Sequence, residues 1–383
     1  MKSVLYSPTK IRGHIIKNRF MRSATYEALG EPSGMPKHEL TKMIEKLATG
    51  EVGLIVPGYV YPIKHGKAAK FQCGITNYKE AGAWENTIKF AHKKGSKIIF
   101  QVCHGGVMCK PEDIDGTPIG ASGILPNTRD MTNAEIEETI DSFIQAALRL
   151  QSVGADGIQL HAAHGYLLSA FLSPAMNRRT DKWGGSLENR VRIVQEIATN
   201  IRKVVSPDFA ISIKMNGDDN YEGGVTPDMA GQYILRLPMI DHFEISCGIG
   251  LKYPSTIRFH PVKEEFYNNI EDKKLAEKFY QIATKCAKNA PSTYGYNVYA
   301  AKRIHEIAPD ANLAVVGGNR RVADMEDIIN SKTANMVSLS RPFLRQPLLV
   351  KELKEGKIDK ITCKDCGLCI LNLSSKVKCW NWN

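Results

Sequence analysis

The chain has no apolar run of membrane-spanning length, and its opening residues, Met1-Lys2-Ser3-Val4-Leu5-Tyr6-Ser7-Pro8, lack the apolar stretch of a secretory signal. The expectation is a protein of the cytoplasm with no membrane partner. No basic block interleaved with aromatics is present either. The net charge of +11 comes from 51 Lys and Arg against 40 Asp and Glu, but the two signs are interspersed along the chain. That distribution argues against nucleic acid and favours small anionic partners such as NAD(P)H or a CoA thioester. Nine cysteines in 383 residues, five of them scattered, fit a reducing interior better than a disulfide framework. No Gly-x-Gly-x-x-Gly follows any apolar run, so the dinucleotide fingerprint of an open, doubly wound sheet is missing. No low-complexity linker divides the chain.

What is present is an alternation of short apolar runs with amphipathic segments. The runs cover residues 19–24, 53–58, 97–102, 156–161, 209–215, 241–247, 312–317 and 335–340. Helical periodicity marks residues 39–49, 81–94, 133–153, 187–204, 228–236, 273–286 and 323–330. Eight strands alternating with helices predict a closed (β/α)8 barrel, the TIM barrel of the α/β class. Residues 5–18, with Gly13 as a turn centre, predict a short N-terminal cap on the barrel floor. The barrel is expected to span residues 1–350, with a cysteine-containing tail over 351–383.

In such barrels the chemistry lies on the loops that follow the strands. The richest strand end is that of residues 156–161, where His161, His164 and Tyr166 precede a long polar loop. Loops of that length are usually functional. Two imidazoles three residues apart also suit a metal, with His104 as a third ligand, and a strand-end Tyr also suits packing. After the seventh run, Gly317 and Gly318 let backbone N–H groups approach an anion, and Arg341 after the eighth offers a fork of donors to phosphate. The competing reading makes the glycines a tight turn and pairs Arg341 with a carboxylate. In the tail, Cys363, Cys366, Cys369 and Cys379 are spaced to hold a [4Fe–4S] cluster or zinc, or stand as free thiols.

The motif His161-x-x-His164-x-Tyr166, followed by Phe171-Leu172-Ser173-Pro174, Asn177-x-Arg179-x-Asp181 and Trp183-Gly184-Gly185-Ser186-x-x-Asn189-Arg190, resembles the signature of the old yellow enzyme family. These are FMN-dependent NADH:flavin oxidoreductases, a group that includes 2,4-dienoyl-CoA reductases. The resemblance implies FMN across the strand ends, touched by Ser23, Ala24, Thr25 and Gly58, with Gln101 on its pyrimidine edge. It implies Lys214 near the electron-poor end of the flavin, where relatives more often carry Arg, and Gly317, Gly318 and Arg341 on the phosphate. His161 and His164 would bind the acceptor oxygen and Tyr166 would deliver a proton. The loop residues from Trp183 to Arg190, and Asp218 with the segment 222–226, are expected to shape loops. Tyr26 departs from the family's usual Thr or Cys. The cysteine spacing resembles the cluster segment of the dienoyl-CoA reductase and trimethylamine dehydrogenase branch, but its last gap is short and no Cys-Pro follows.

The expected function is hydride transfer from NAD(P)H through FMN to an α,β-unsaturated carbonyl or similar electron-poor alkene. The alternatives are a metal-dependent barrel hydrolase using His104, His161 and His164, and a non-catalytic Fe–S/flavin redox protein. A homo-oligomer is compatible with this reading. Tyr253, Arg258 and Tyr294, between the sixth and seventh runs, are candidates for substrate contact.

Overall fold

The computed structural model describes residues 3–251, 255–290, 293–371 and 377–380, so Tyr253 lies outside the described residues. Among them the apolar runs form strands β1 (Phe20–Arg22), β2 (Leu54–Ile55), β3 (Lys97–Val102), β4 (Gly157–Ala162), β5 (Ala210–Asp218), β6 (His242–Cys247), β7 (Leu313–Val316) and β8 (Met336–Leu339). They pair in chain order, all parallel, and β8 closes the ring onto β1. The expected TIM barrel is the observed fold. The outer layer is α1 (His38–Thr49), α2 (Glu85–Lys93), α3 (Asn133–Ser152), α4 (Leu187–Val204), α5 (Pro227–Leu235), α6 (Val298–Ile307), α7 (Val322–Asn330) and α8 (Leu349–Lys354). No helix among the described residues is long and apolar enough to cross a membrane.

Local chemistry accounts for these elements. The α3 helix starts at a capping box, in which Thr132 and Glu135 satisfy each other's backbone N–H groups. Its Ile136, Ile140, Phe143, Ala147 and Leu150, three or four residues apart, are buried against the barrel. Ser186 caps α4, as its position before the apolar periodicity suggests.

The N-terminal cap is a hairpin of Thr9–Ile11 on His14–Ile16. Its Ile11 and Ile16 pack with Met21, Leu54, Ile99, Ala210, Ala314 and Met336 inside the barrel. Arg12 donates to the Pro207 carbonyl and Lys10 accepts from Asn312, just before β5 and β7, so the hairpin plugs the N-terminal end. Substrate access is left to the opposite end.

One expectation is corrected. The helix predicted over residues 273–286 exists as Lys273–Asn289, but it is not the barrel helix between β6 and β7. With Lys263–Asn269 it builds a separate small core from Phe259, Phe266, Ile270, Ala276 and Ala283, to which the tail adds Leu368. The barrel helix there is α6, which buries Ala300, Ala301 and Ile304.

Candidate active site

Strand β4 carries the reactive groups. Residues alternate inward and outward along a strand, so Gln159 and His161 share the inner face. Beyond the strand the chain turns through His164, whose φ of +70° is left-handed. This turn brings the two imidazoles together, with ring centres 5.2 Å apart and nearly perpendicular. Nε2 of His164 lies 2.8 Å from Oγ of Ser246 at the end of β6, and its backbone N–H reaches Asn216 at the end of β5. Nδ1 of His161 is buried with no hydrogen-bond partner among the described residues. Burial holds both imidazoles well below the ordinary histidine range, and Lys214 adds to this, so both are neutral near pH 7. Each neutral ring then offers one N–H.

Tyr166 sits beside them, its ring 4.9 Å from that of His161. Burial raises its phenol above the ordinary value, which keeps it protonated. Its hydroxyl lies 3.2 Å from that of Tyr59, just past β2. Tyr59 in turn stacks on Tyr26 with ring centres 5.8 Å apart. The departure at Tyr26 is therefore part of a phenol cluster that also holds the proposed proton donor. Tyr59 was visible only as a residue after Gly58; nothing in its spacing linked it to Tyr166.

The long loop holds the site rather than entering it. It begins with a short helix, Leu167–Leu172, that the loop expectation did not include. Asn177 then donates to the carbonyls of Phe171 and Trp183, and the Trp183 indole N–H donates to Asn133. Asn189 ties back to Asp181 and Gly184. These residues are braces, in keeping with their expected role. Asp218 likewise accepts from its neighbour Asn220 and from Tyr299.

Beneath the imidazoles lies a buried polar chain that the sequence reading missed in part. Gln101 donates to Gln159 at 2.7 Å, and Gln159 donates to Glu244 at 3.1 Å. Glu244 accepts from Ser338 and pairs with Lys214 at 3.6 Å, and Lys214 donates to Ser23 at 2.7 Å. Burial pulls the Lys214 ammonium below its ordinary value, against the opposing charge of Glu244. The remaining expected contacts lie around the same mouth. Thr25 bonds Ser340, Ala24 is part-buried beside them, and the Gly58 N–H donates to Glu27. A Cβ at Gly58 would lie 2.4 Å from the Thr25 carbonyl, so the two strand ends meet only because position 58 is glycine.

At the ends of β7 and β8, Gly317 and Gly318 adopt φ of +121° and +70°. A Cβ on Gly318 would lie 2.2 Å from the Thr293 carbonyl. Three buried arginines gather here. Arg341 donates to the Arg258 carbonyl, the Arg258 guanidinium lies over the Tyr296 ring, and Nε of Arg320 is buried without a partner among the described residues. Asp365 of the tail pairs with both Arg320 and Arg341. The carboxylate partner considered for Arg341 is therefore real, yet among the described residues three guanidiniums gather around it, an excess of positive charge. Bared backbone, a buried unpartnered N–H and that excess fit the phosphate of FMN. Tyr294 is largely exposed, with the Arg321 guanidinium over its ring.

The four tail cysteines line one cavity with Arg341, Arg345 and Asp365. His104, by contrast, packs against His65 with ring centres 5.0 Å apart, and its Nδ1 accepts from Gly106. Among the described residues no group of three or more His, Cys, Asp or Glu side chains could hold a metal ion. The hydrolase alternative thus lacks its three-histidine centre.

The class defined by these features is a parallel barrel with two neutral imidazoles, a phenol and a cluster of buried arginines at its C-terminal mouth. Comparison with known proteins specifies it. Residues 4–253 match the NADH:flavin oxidoreductase / NADH oxidase family. The chain is 30% identical to an NADPH dehydrogenase of Geobacillus sp., over 91% of this chain and 92% of the relative. It is also 30% identical to an NADH oxidase of Thermoanaerobacter brockii, over 95% of this chain but 53% of the relative, so it spans about half that protein's length. A solved 2-naphthoyl-CoA reductase in complex with 2-naphthoyl-CoA superposes with a TM-score of 0.82 at 24% identity, over 98% of this chain and 56% of that one. The chain belongs to the NADH:flavin oxidoreductase / NADH oxidase family; it is an oxidoreductase with FMN as its cofactor.

Proposed function

We propose that this enzyme oxidises NAD(P)H and reduces an α,β-unsaturated carbonyl or a comparably electron-poor alkene. Bound FMN supplies hydride acceptance and donation at its N5. The chain's own residues do the rest. His161 and His164 donate N–H to the acceptor oxygen as negative charge develops there, a role worth about 2.7–4 kcal/mol per donor. Tyr166, held neutral, delivers the proton to the neighbouring carbon. Lys214 would supply a cation to the flavin, Gln101 would meet its polar edge, and Ser23, Ala24, Thr25 and Gly58 would line it. Gly317, Gly318 and Arg341 would hold the phosphate. The observation that carries this reading is the grouping of two neutral imidazoles and a phenol, 5.2 and 4.9 Å apart, at one strand end.

The two half-reactions, followed separately by stopped flow, test it. Tyr166→Phe is expected to leave flavin reduction by NAD(P)H intact and to slow reoxidation by an enone by roughly 10²- to 10⁴-fold. An unchanged enone step in that variant, and in His161→Ala and His164→Ala, would remove the assigned roles.

We also propose that Cys363, Cys366, Cys369 and Cys379, which line one cavity but do not converge as a ligand set in this structure, would close around a [4Fe–4S] cluster when it is supplied. Supporting this, all four thiols line one cavity beside the cations Arg341 and Arg345. A cubane spreads its thiolates over four irons, so they need not converge as ligands of a single zinc must. Iron and acid-labile sulfide in protein purified without oxygen provide the test, with stoichiometric zinc or no metal as the contrary result.

A further inference from the structure

We propose that Asp365 is a positioning residue for the cofactor phosphate, and that through it the seating of the cysteine-bearing tail sets how tightly FMN is held. This rests on the phosphate lying at Gly317 and Gly318. Asp365 Oδ1 forms an ion pair with Nη2 of Arg341 at 2.9 Å and accepts a hydrogen bond from Nη2 of Arg320, and all three side chains are at least nine-tenths buried. One carboxylate thus binds two guanidiniums side by side. Each arginine meets it through one terminal nitrogen and turns the other to a backbone carbonyl, while Nε of Arg320 is buried without a partner among the described residues and is left for a second anion. Without that bridge the two cations would repel each other and spread, and the phosphate would have to organise them on arrival.

The placement of the carboxylate is built in. Asp365 has a left-handed backbone, with φ of +57°, a conformation that is strained for most residues. Its carbonyl accepts from His260 N–H at 2.8 Å, tying this turn to the segment before Lys263–Asn269. Two residues on, a Cβ at Gly367 would fall 2.4 Å from the Phe259 ring, so the turn is pressed onto the small core between β6 and β7. The same turn carries Cys363 and Cys366. Tail, insertion and phosphate pole therefore share one residue, and whatever unseats the tail releases both arginines.

The test uses the full chain loaded with FMN or with riboflavin, which lacks the phosphate, and reads affinity from flavin fluorescence. The parent must prefer FMN; equal affinity for the two flavins would remove the phosphate reading itself. Asp365→Asn keeps a residue type that tolerates this backbone and deletes the charge. It is expected to weaken FMN by roughly 10- to 100-fold, the worth of a hydrogen bond to a charged group, and to leave riboflavin unchanged. Asp365→Gly relieves the backbone while deleting the carboxylate, so it should show the same selective loss even if the Asn variant folds poorly. Lys364→Gln, which removes only the surface pair with Glu265, should bind both flavins as the parent does. Tighter or equal FMN binding in the Asp365 variants would show that the carboxylate competes with phosphate and would overturn the proposal. Equal weakening of FMN and riboflavin would overturn it as well, since the tail would then merely support the fold.

Discussion

Replacing Glu244 with Gln isolates the charge at the centre of the buried polar chain. The amide keeps the volume and an acceptor for the Ser338 hydroxyl, but it leaves the Lys214 ammonium with only the neutral Ser23 oxygen among its described bonds. Charges 3.6 Å apart attract by about 4–5 kcal/mol at an effective dielectric of about 20. Removing one partner of a buried pair typically costs about 3–5 kcal/mol, so the two routes agree. The flavin-free variant should therefore lose about 3–5 kcal/mol in urea denaturation at pH 7. The pH dependence has a definite sign. Without Glu244 the folded-state pKa of Lys214 drops further below its unfolded value, so at pH 7 the unfolded chain binds a proton that the folded chain resists. That deficit shrinks as pH rises toward about 10, where the unfolded lysine also loses its proton. A loss below about 1 kcal/mol, or a deficit that grows with pH, would show that the pair does not act as a buried ion pair. Removing the cation itself, in Lys214→Met, should lower the reduction potential of the bound flavin, measurable by dye equilibration.

Buried neutral histidines should make the protein acid-sensitive. Burial pushes His104 down to about 3 and His242 to about 4, so their contribution to stability is complete above about 6.5 and is lost as pH falls toward those values. The double variant His104→Gln, His242→Gln should lack about 2 kcal/mol of the fall in stability between pH 6 and 5 seen in the parent; identical slopes would contradict this. Gly318→Ala, at a φ of +70° with the Thr293 carbonyl in the way, should lower FMN retention on gel filtration, and full retention would show that the loop can shift without loss. Asn177→Ala removes two bonds that close the long loop and should cost about 1–3 kcal/mol, read as a lowered thermal midpoint of the FMN-loaded enzyme.

Legibility in the sequence followed the range of the physics involved. His161, His164 and Tyr166 were readable because they lie within six residues of one strand end and share a motif. The barrel was readable because strand and helix periods repeat. Glu244 and Gln159 were passed over inside Phe243-Glu244-Ile245 and Ile158-Gln159-Leu160, where the apolar neighbours dominate the pattern. A polar residue at the inward position of an otherwise apolar strand was the available signal. Asp365 left none. Its partner Arg341 precedes it by 24 positions, and their meeting depends on how the tail folds back over the insertion.

The alternation along each strand explains why the chemistry lies where it does. Inward positions recur every second residue, and polarity climbs with them. In β3 the series runs from Ile99 to Gln101, and in β4 from Gly157 through Gln159 to His161. In β5 it runs from Ala210 through Ser212 to Lys214 and Asn216, and in β8 from Met336 to Ser338. The lowest positions pack on the hairpin plug, the middle ones form the hydrogen-bonded chain, and the top ones face the mouth. A one-residue slip in any of these strands would turn its polar residues outward and leave apolar ones at the mouth. The chain through Gln101, Gln159, Glu244 and Lys214 links four consecutive strands, β3 to β6, and it thereby holds the register on which the imidazole pair depends.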